Sequence, residues 1–167
     1  FNKKLFAAPY EMISYVHSKG IRVGLSVNPY DGFFPIDDYY EQTKKYLTPD
    51  ANGVIPFNVL KPRSLDVYLK MYIHPLDALE VDFYWLKNND KTSLEEINML
   101  KHYHMYDMMR NYKRRPMVLA KNSLVAAHRY PVLYSGKIKV GWDTLATVPF
   151  YNLNATNIGV SWWAHDV

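Results

Sequence analysis

Five short apolar runs, alternating with stretches of helical periodicity, constrain this chain more than any other feature. Residues 21–27 (IRVGLSV), 79–86 (LEVDFYWL), 117–120 (MVLA), 132–134 (VLY) and 158–163 (IGVSWW) are rich in β-branched, aromatic and aliphatic side chains. Most of them run straight into a loop or turn cluster, such as Asn28-Pro29 after the first and Asn88-Asn89-Asp90 after the second. Largely apolar runs of this length read as buried strands, covered on both faces as in parallel sheets. Helices separate them. Residues 9–20 place Met12, Ile13, Tyr15 and Val16 on one face, with Pro9 suited to a first turn and Gly20 to a stop. Residues 37–48 and 64–78 read as helical, with Pro56 and Pro62 in the loop between them. Ser93-Leu94-Glu95-Glu96 is a capping-box-like start. From it Ile97, Leu100, Tyr103, Met105 and Met108 carry a helix to about Tyr112, and Asp143 to Leu153 reads as the last one.

Helix and strand in alternation argue for a parallel α/β fold with right-handed crossovers. Open doubly wound sheets and closed barrels both satisfy that pattern. A dinucleotide-binding sheet needs glycines in its first turn for close backbone approach to phosphate, and no strand here is followed by such a loop. A barrel is favoured. Complete (β/α)8 barrels run to about 250 residues, so five strands in 167 residues make a partial barrel. Phe1 opens onto Asn2-Lys3-Lys4 with no initiator Met, and Val167 follows the last apolar run by four residues, so the chain is expected to be a piece of a longer one.

Composition narrows the class further. With 49% hydrophobic and 22% charged residues the chain can build a packed core. No apolar run approaches the roughly 18 residues of a membrane-spanning helix. The absence of cysteine excludes disulfides and thiolate metal sites and leaves the compartment open. The net charge of +4 is scattered except for Lys113-Arg114-Arg115, which reads as a solvated helix end rather than a nucleic-acid patch. His74, His102, His104 and His128 have no metal-ligand spacing, and no metal or cofactor is expected. The pairs Asp37-Asp38 and Glu95-Glu96 sit at helix starts, where acidic side chains complement the helix dipole. Aromatics make up 16% of the chain and either fill core or line a pocket for flat ligands.

Barrel chemistry sits at the carboxyl ends of strands, which here are Asn28, Lys87, Lys121, Lys137 and His165-Asp166. Three lysines at such positions either bind an anion or pair with a carboxylate such as Asp166, or supply a Schiff-base amine if their pKa is lowered.

The runs "FNKKLFAAPYEMISYVHSKGIRVGLSVNPYDG", "HPLDALEVDFYWL", "RRPMVLAKNSLVAAHRYPVLYSGK" with "GWDTL" behind it, and "NIGVSWWAHDV" together resemble the catalytic barrel of glycoside hydrolase family 31, the retaining α-glucosidases and α-xylosidases. The resemblance covers essentially the whole chain, in order. It implies a TIM-barrel piece from the helix before the third barrel strand to the end of the seventh. The remaining strands and flanking β-domains are then expected outside this sequence.

Retaining glycosidases need two carboxyl groups about 5–5.5 Å apart, one a nucleophile and one an acid/base. The resemblance places the nucleophile at the Asp of runs like "DFWWIDW", where this chain reads "DFYWLKN" and has Lys87. It places the acid/base after the "SG" of "HRYPVxxSGD", where "HRYPVLYSGK" has Lys137. The sugar-contacting Arg of "VLSR" is Lys121 in "VLAK". Trp142, Trp162, Trp163, Tyr130 and Asp166 match positions that shape the family pocket, Asp166 being the partner of the replaced Arg, and Asn28 stands where related sequences often have His. Neither Asp82 nor Asp90 nor Asp143 is placed to restore the lost carboxylates. The expectation is a catalytically inactive relative, a barrel kept as a scaffold or interaction subunit of a larger assembly, with protein partners and a possible carbohydrate or anionic ligand. The alternatives are a carbohydrate-binding module derived from the family and an active retaining α-glycosidase.

Overall fold

A computed structural model describes residues 4–110, 115–121, 127–130, 132–136, 139–160 and 162–165, without the side chain of Trp163. The chain forms two compact units, residues 1–91 and 92–167. The fold is of the mixed α/β class, and every pairing between its strands described below is parallel.

In the first unit, helix α1 (Pro9–Ser18) starts at Pro9 and buries Ile13 completely. It ends in Gly20 at φ +73°, where the Gly20 and Ile21 N–H groups cap the carbonyls of His17 and Val16. Strand β1 (Gly24–Val27) pairs with β2 (Phe83–Leu86), Gly24 opposite Phe83 and Val27 opposite Leu86. Both strands are shorter than the apolar runs that contain them. The cause lies at their amino ends: Asp82 turns its carboxylate onto the Val23 N–H (2.8 Å), His17 Nε2 (2.6 Å) and the Arg22 guanidinium (3.0 Å).

The pleat fixes the two faces. Tyr84 and Leu86 are buried, and Tyr84 donates from its hydroxyl to Asp77 in α4 (His74–Ala78), so this face meets the helix layer. Phe83, Trp85 and the following Lys87 alternate to the other face, joined there by Gly24 and Ser26 of β1. The long connection between the strands holds a short helix α2 (Tyr40–Thr43) in place of the longer one its sequence predicts over 37–48. Helix α3 (Pro62–Val67) begins at Pro62, two residues ahead of the expected 64 and within the expected loop. It passes into one π-helical stretch (Tyr68–Ile73) before α4. Pro75 has no N–H for the Met71 carbonyl, and the helix widens just ahead of it.

In the second unit, Ser93 caps α5 (Leu94–Met108) in a full capping box, its hydroxyl accepting from the Glu96 N–H at 3.2 Å and its own N–H donating to the Glu96 carboxylate at 2.9 Å. The buried stripe of α5 is Ile97, Leu100, Lys101 and His104, whereas Tyr103 is exposed. This corrects the stripe through Tyr103 and Met105, and the expected end near Tyr112 lies outside the described residues. Strand β3 (Val118–Lys121) pairs with β4 (Val132–Tyr134), and β4 with β5 (Trp163–Ala164). Val118, Ala120 and Leu133 are buried, Leu133 in a cluster with Ala127, Ala155 and Val160. Helix α6 (Trp142–Asn157) outruns the expected 143–153 at both ends and carries Pro149 within it. It stops at Gly159, φ +82°. Among the described residues no helix is long and apolar enough to cross a membrane.

Candidate functional site

At the carboxyl end of β1, Asn28 donates from Nδ2 to Asp31 (2.7 Å), and its Oδ1 is buried with no hydrogen-bond partner. The loop beyond it is braced by a two-way hydrogen bond between Phe33 and Ile55 and by Phe33 stacked on Tyr72 at 4.4 Å. This loop and the 62–79 helical segment line an open cleft of about 540 Å³, whose walls include Val27, Asn28, Asp31, Phe34, Tyr39 and Tyr72.

The end of β2 lies beside it. The Lys87 N–H donates to the Val27 carbonyl at 2.8 Å, which seats Lys87 next to Asn28. Its side chain is exposed, and its ammonium lies 4.8 Å from the Trp85 ring centroid, a cation–π contact along one strand face. Asn89 reaches back to the Tyr30 carbonyl at 3.4 Å, tying the two loops together. Asp82 lies at the opposite end of β2, five residues away. Burial works to raise the Asp82 pKa, but the Val23 N–H and the His17 and Arg22 side chains outweigh it and hold the carboxyl below its usual value. Such a carboxylate is a structural anchor.

In the second unit the end of β3 carries Lys121, half-buried on the strand face it shares with Tyr134. Its stem runs past Gly136, so close that a Cβ on that glycine would stand 3.3 Å from Lys121 Cε. Gly136, at φ +106°, immediately precedes Lys137. Beyond β5, His165 joins Ser135 Oγ (3.0 Å, through Nδ1) to Asn152 Oδ1 (2.8 Å, through Nε2), fixing the ends of β4 and β5 against α6. Lys137, Asp166 and the Trp163 side chain lie outside the described residues. Tyr130 is buried, as a core aromatic would be. Trp142 and Trp162 are 85% and 61% exposed, so neither fills core.

One polar cluster escaped the sequence reading. Lys101 is 1% exposed with its ammonium 5.2 Å from the Tyr130 ring centroid, and Tyr130 hydrogen-bonds His102 at 3.3 Å. Burial lowers the Lys101 pKa to about 8. The signal was present: positions 97, 100, 101 and 104 share one helical face, and two of the four are basic. Among the described residues no group of three His, Asp or Glu side chains could hold a metal ion.

Parallel strands alternating with helices, with loops at the strands' carboxyl ends, place the chain among the parallel α/β proteins, to which TIM barrels belong. Within that class the chain belongs to the glycosyl hydrolases family 31 TIM-barrel domain, whose family model matches residues 1–167. Solved structures agree on the fold. The cycloalternan-degrading enzyme from Trueperella pyogenes, in complex with cycloalternan, superposes with a TM-score of 0.66 at 14% identity, over 95% of this chain and 26% of that one. A mutant of Kfla1895 in complex with isomaltose gives 0.63 at 17% identity, over 95% and 27%. The noncanonic maltogenic α-amylase AmyB from Thermotoga neapolitana gives 0.59 at 9% identity, over 92% and 39%. The chain thus spans between about a quarter and two fifths of each of these proteins. No curated protein is significantly similar to it in sequence.

Proposed function

We propose that this domain is a catalytically inactive member of the family, kept as a scaffold or interaction subunit of a larger protein whose remaining barrel strands and β-domains lie outside this sequence. The observation that carries the reading is Lys87. It follows β2 on the face of Phe83 and Trp85, where the family motif has its nucleophilic Asp. An ammonium there has no lone pair to offer an anomeric carbon while protonated, and its charge opposes the oxocarbenium ion that a carboxylate stabilises. Lys137 stands at the acid/base position and Lys121 at that of the sugar-binding Arg, so three of the family's polar roles pass to lysine together. Trp142, Trp163 and Asp166 then remain from the old pocket, with Asp166 the natural counter-ion for the lysines.

The test is hydrolysis. Aryl α-glucosides, aryl α-xylosides and isomaltose, the last the ligand in the Kfla1895 complex, should all be left intact at the background rate. Turnover that co-purifies with the protein through a second, unrelated chromatographic step would overturn the reading.

A further inference from the structure

At the carboxyl ends of β4 and β5, three polar side chains form one hydrogen-bonded row. Ser135 follows β4 directly, and its N–H donates to the Ala164 carbonyl of β5 at 3.1 Å. That bond sets Ser135 beside His165, the residue after β5. Ser135 Oγ lies 3.0 Å from His165 Nδ1, and His165 Nε2 lies 2.8 Å from Asn152 Oδ1 on α6. The acceptor decides the tautomer. Oδ1 is a carbonyl oxygen and can only accept, so in the neutral ring Nε2 carries the proton and the bare Nδ1 accepts from the Ser135 hydroxyl. The Tyr151 ring packs edge-to-face on the imidazole at 5.9 Å. Lys121 approaches from β3. Its Cε would stand 3.3 Å from a Cβ on Gly136, so its ammonium, one bond further on, lies beside the residue that follows Ser135.

We propose that Ser135, His165 and Asn152 are a nucleophile, its general base and the group that orients the base, and that together they cleave short-chain carboxylic esters. Acyl transfer by a serine needs a base within hydrogen-bond reach, a third group that fixes the base's tautomer, and positive charge or N–H donors for the oxyanion. The row supplies the first two, with an amide as its third member, an arrangement that cysteine hydrolases also use. Lys121 supplies the third. Ser135 and His165 are half-buried, at strand ends of the kind where barrel chemistry sits. In the reaction Ser135 Oγ bonds to the acyl carbon, its proton passes to His165 Nδ1, and the carbonyl electron pair moves onto oxygen beside the Lys121 charge. Collapse breaks the bond to the leaving alkoxide, which takes the proton from Nδ1. A water deprotonated by the same nitrogen then releases the carboxylic acid and restores the serine. Asn152 carries no charge and steadies the imidazolium less than a carboxylate would. That confines the row to esters, whose alkoxide leaves more readily than an amine. All four residues belong to the second unit. Lys87 and Lys137 take no part, so the failure of this proposal would leave the proposed loss of glycoside hydrolysis untouched.

A fluorophosphonate, which reacts with activated serines, should label the folded protein at Ser135, located by mass spectrometry of the proteolysed adduct, and should not label it in urea. This readout uses the unaltered chain, so it stands whether or not any variant folds. p-Nitrophenyl acetate should be hydrolysed above the buffer rate, and Ser135→Ala should lower kcat at least about a hundredfold. Lys121→Met should lower it about tenfold. Asn152→Ala should lower kcat by about tenfold or more with KM held within about twofold, and Asn152→Asp should restore it, a rescue that a purely structural clasp would not show in kcat. A folded protein that takes no label at Ser135 would overturn the proposal. So would labelling that persists in a folded His165→Gln variant, or ester hydrolysis undiminished in Ser135→Ala, which is what surface histidines alone would give. An Asn152→Asp variant no faster than Asn152→Ala would overturn the role of Asn152 and leave the row a structural clasp.

Discussion

Lys101 and His104 are both buried on the inner face of α5, and burial is the largest cause of both pKa shifts, to about 8 for Lys101 and about 3 for His104. For each, the folded state prefers the neutral form more than the unfolded chain does. Lys101 therefore adds stability as pH rises from about 8 toward its ordinary 10.5. His104 contributes fully above its ordinary 6.5, and its contribution is lost as pH falls toward about 3. The urea midpoint should accordingly fall on the acid side of 6.5 and climb on the alkaline side of 8, by up to about 3 kcal/mol for the lysine. Lys101→Met should flatten the alkaline limb and leave the acid limb in place; an unchanged alkaline limb would show that Lys101 is not its source. A second residue-scale prediction concerns Glu80, the one described non-glycine residue in left-handed backbone, at φ +68°. It ends α4 where Gly20 and Gly159 end α1 and α6. Glu80→Gly should stabilise the protein by about 0.5–1 kcal/mol through relief of that strain, less whatever its weak contact with His17 at 3.9 Å supplies.

At the scale of the element, β1 and β2 meet where Gly24 lies under the Phe83 ring, 2.2 Å from where a Cβ would stand. Gly24→Ala forces that ring off the strand face and should cost about 1–3 kcal/mol in chemical denaturation, by overpacking. The double variant with Phe83→Leu should recover much of the loss, and additive losses would contradict the contact. Ser93→Ala should cost about 1 kcal/mol by opening the α5 capping box. The first four strands and most helices were legible, because apolar runs and caps are local signals, whereas the run expected as a strand over 158–163 ends α6 and forms β5 only from Trp163. Their limits were not. Strands β1 and β2 begin late because the Asp82 side chain takes the Val23 N–H, and α3 widens into a π-helical stretch ahead of Pro75; both need partners distant in sequence or geometry that a run of residues does not carry. The α5 stripe was misread because Lys101 and His104 are polar, although their spacing placed them inward.

For the molecule as a whole, the family was legible because linked motifs survive around the altered positions. The exposure of Trp142 and the cleft below the β1 loop were not, since an aromatic residue reads alike in a core, a pocket or an interface. The proposed passage of three polar roles to Lys87, Lys121 and Lys137 carries its own consequence. Ammonium groups that took over those roles together would repel by several kcal/mol at an intermediate effective dielectric unless carboxylates or an anion offset them. An anion that binds the folded state should then stabilise it by linkage, by about 2.7 kcal/mol at a hundred times its Kd. For a chain of this size that raises Tm by several degrees. Phosphate and sulfate should raise Tm well beyond sodium chloride of equal ionic strength, and maltose should not. Lys87→Gln and Lys121→Gln combined should remove the phosphate effect and leave the general salt effect in place. Stabilisation by maltose with none by phosphate would place a neutral sugar in the pocket instead, and a phosphate effect undiminished in the double variant would locate the anion elsewhere on the protein.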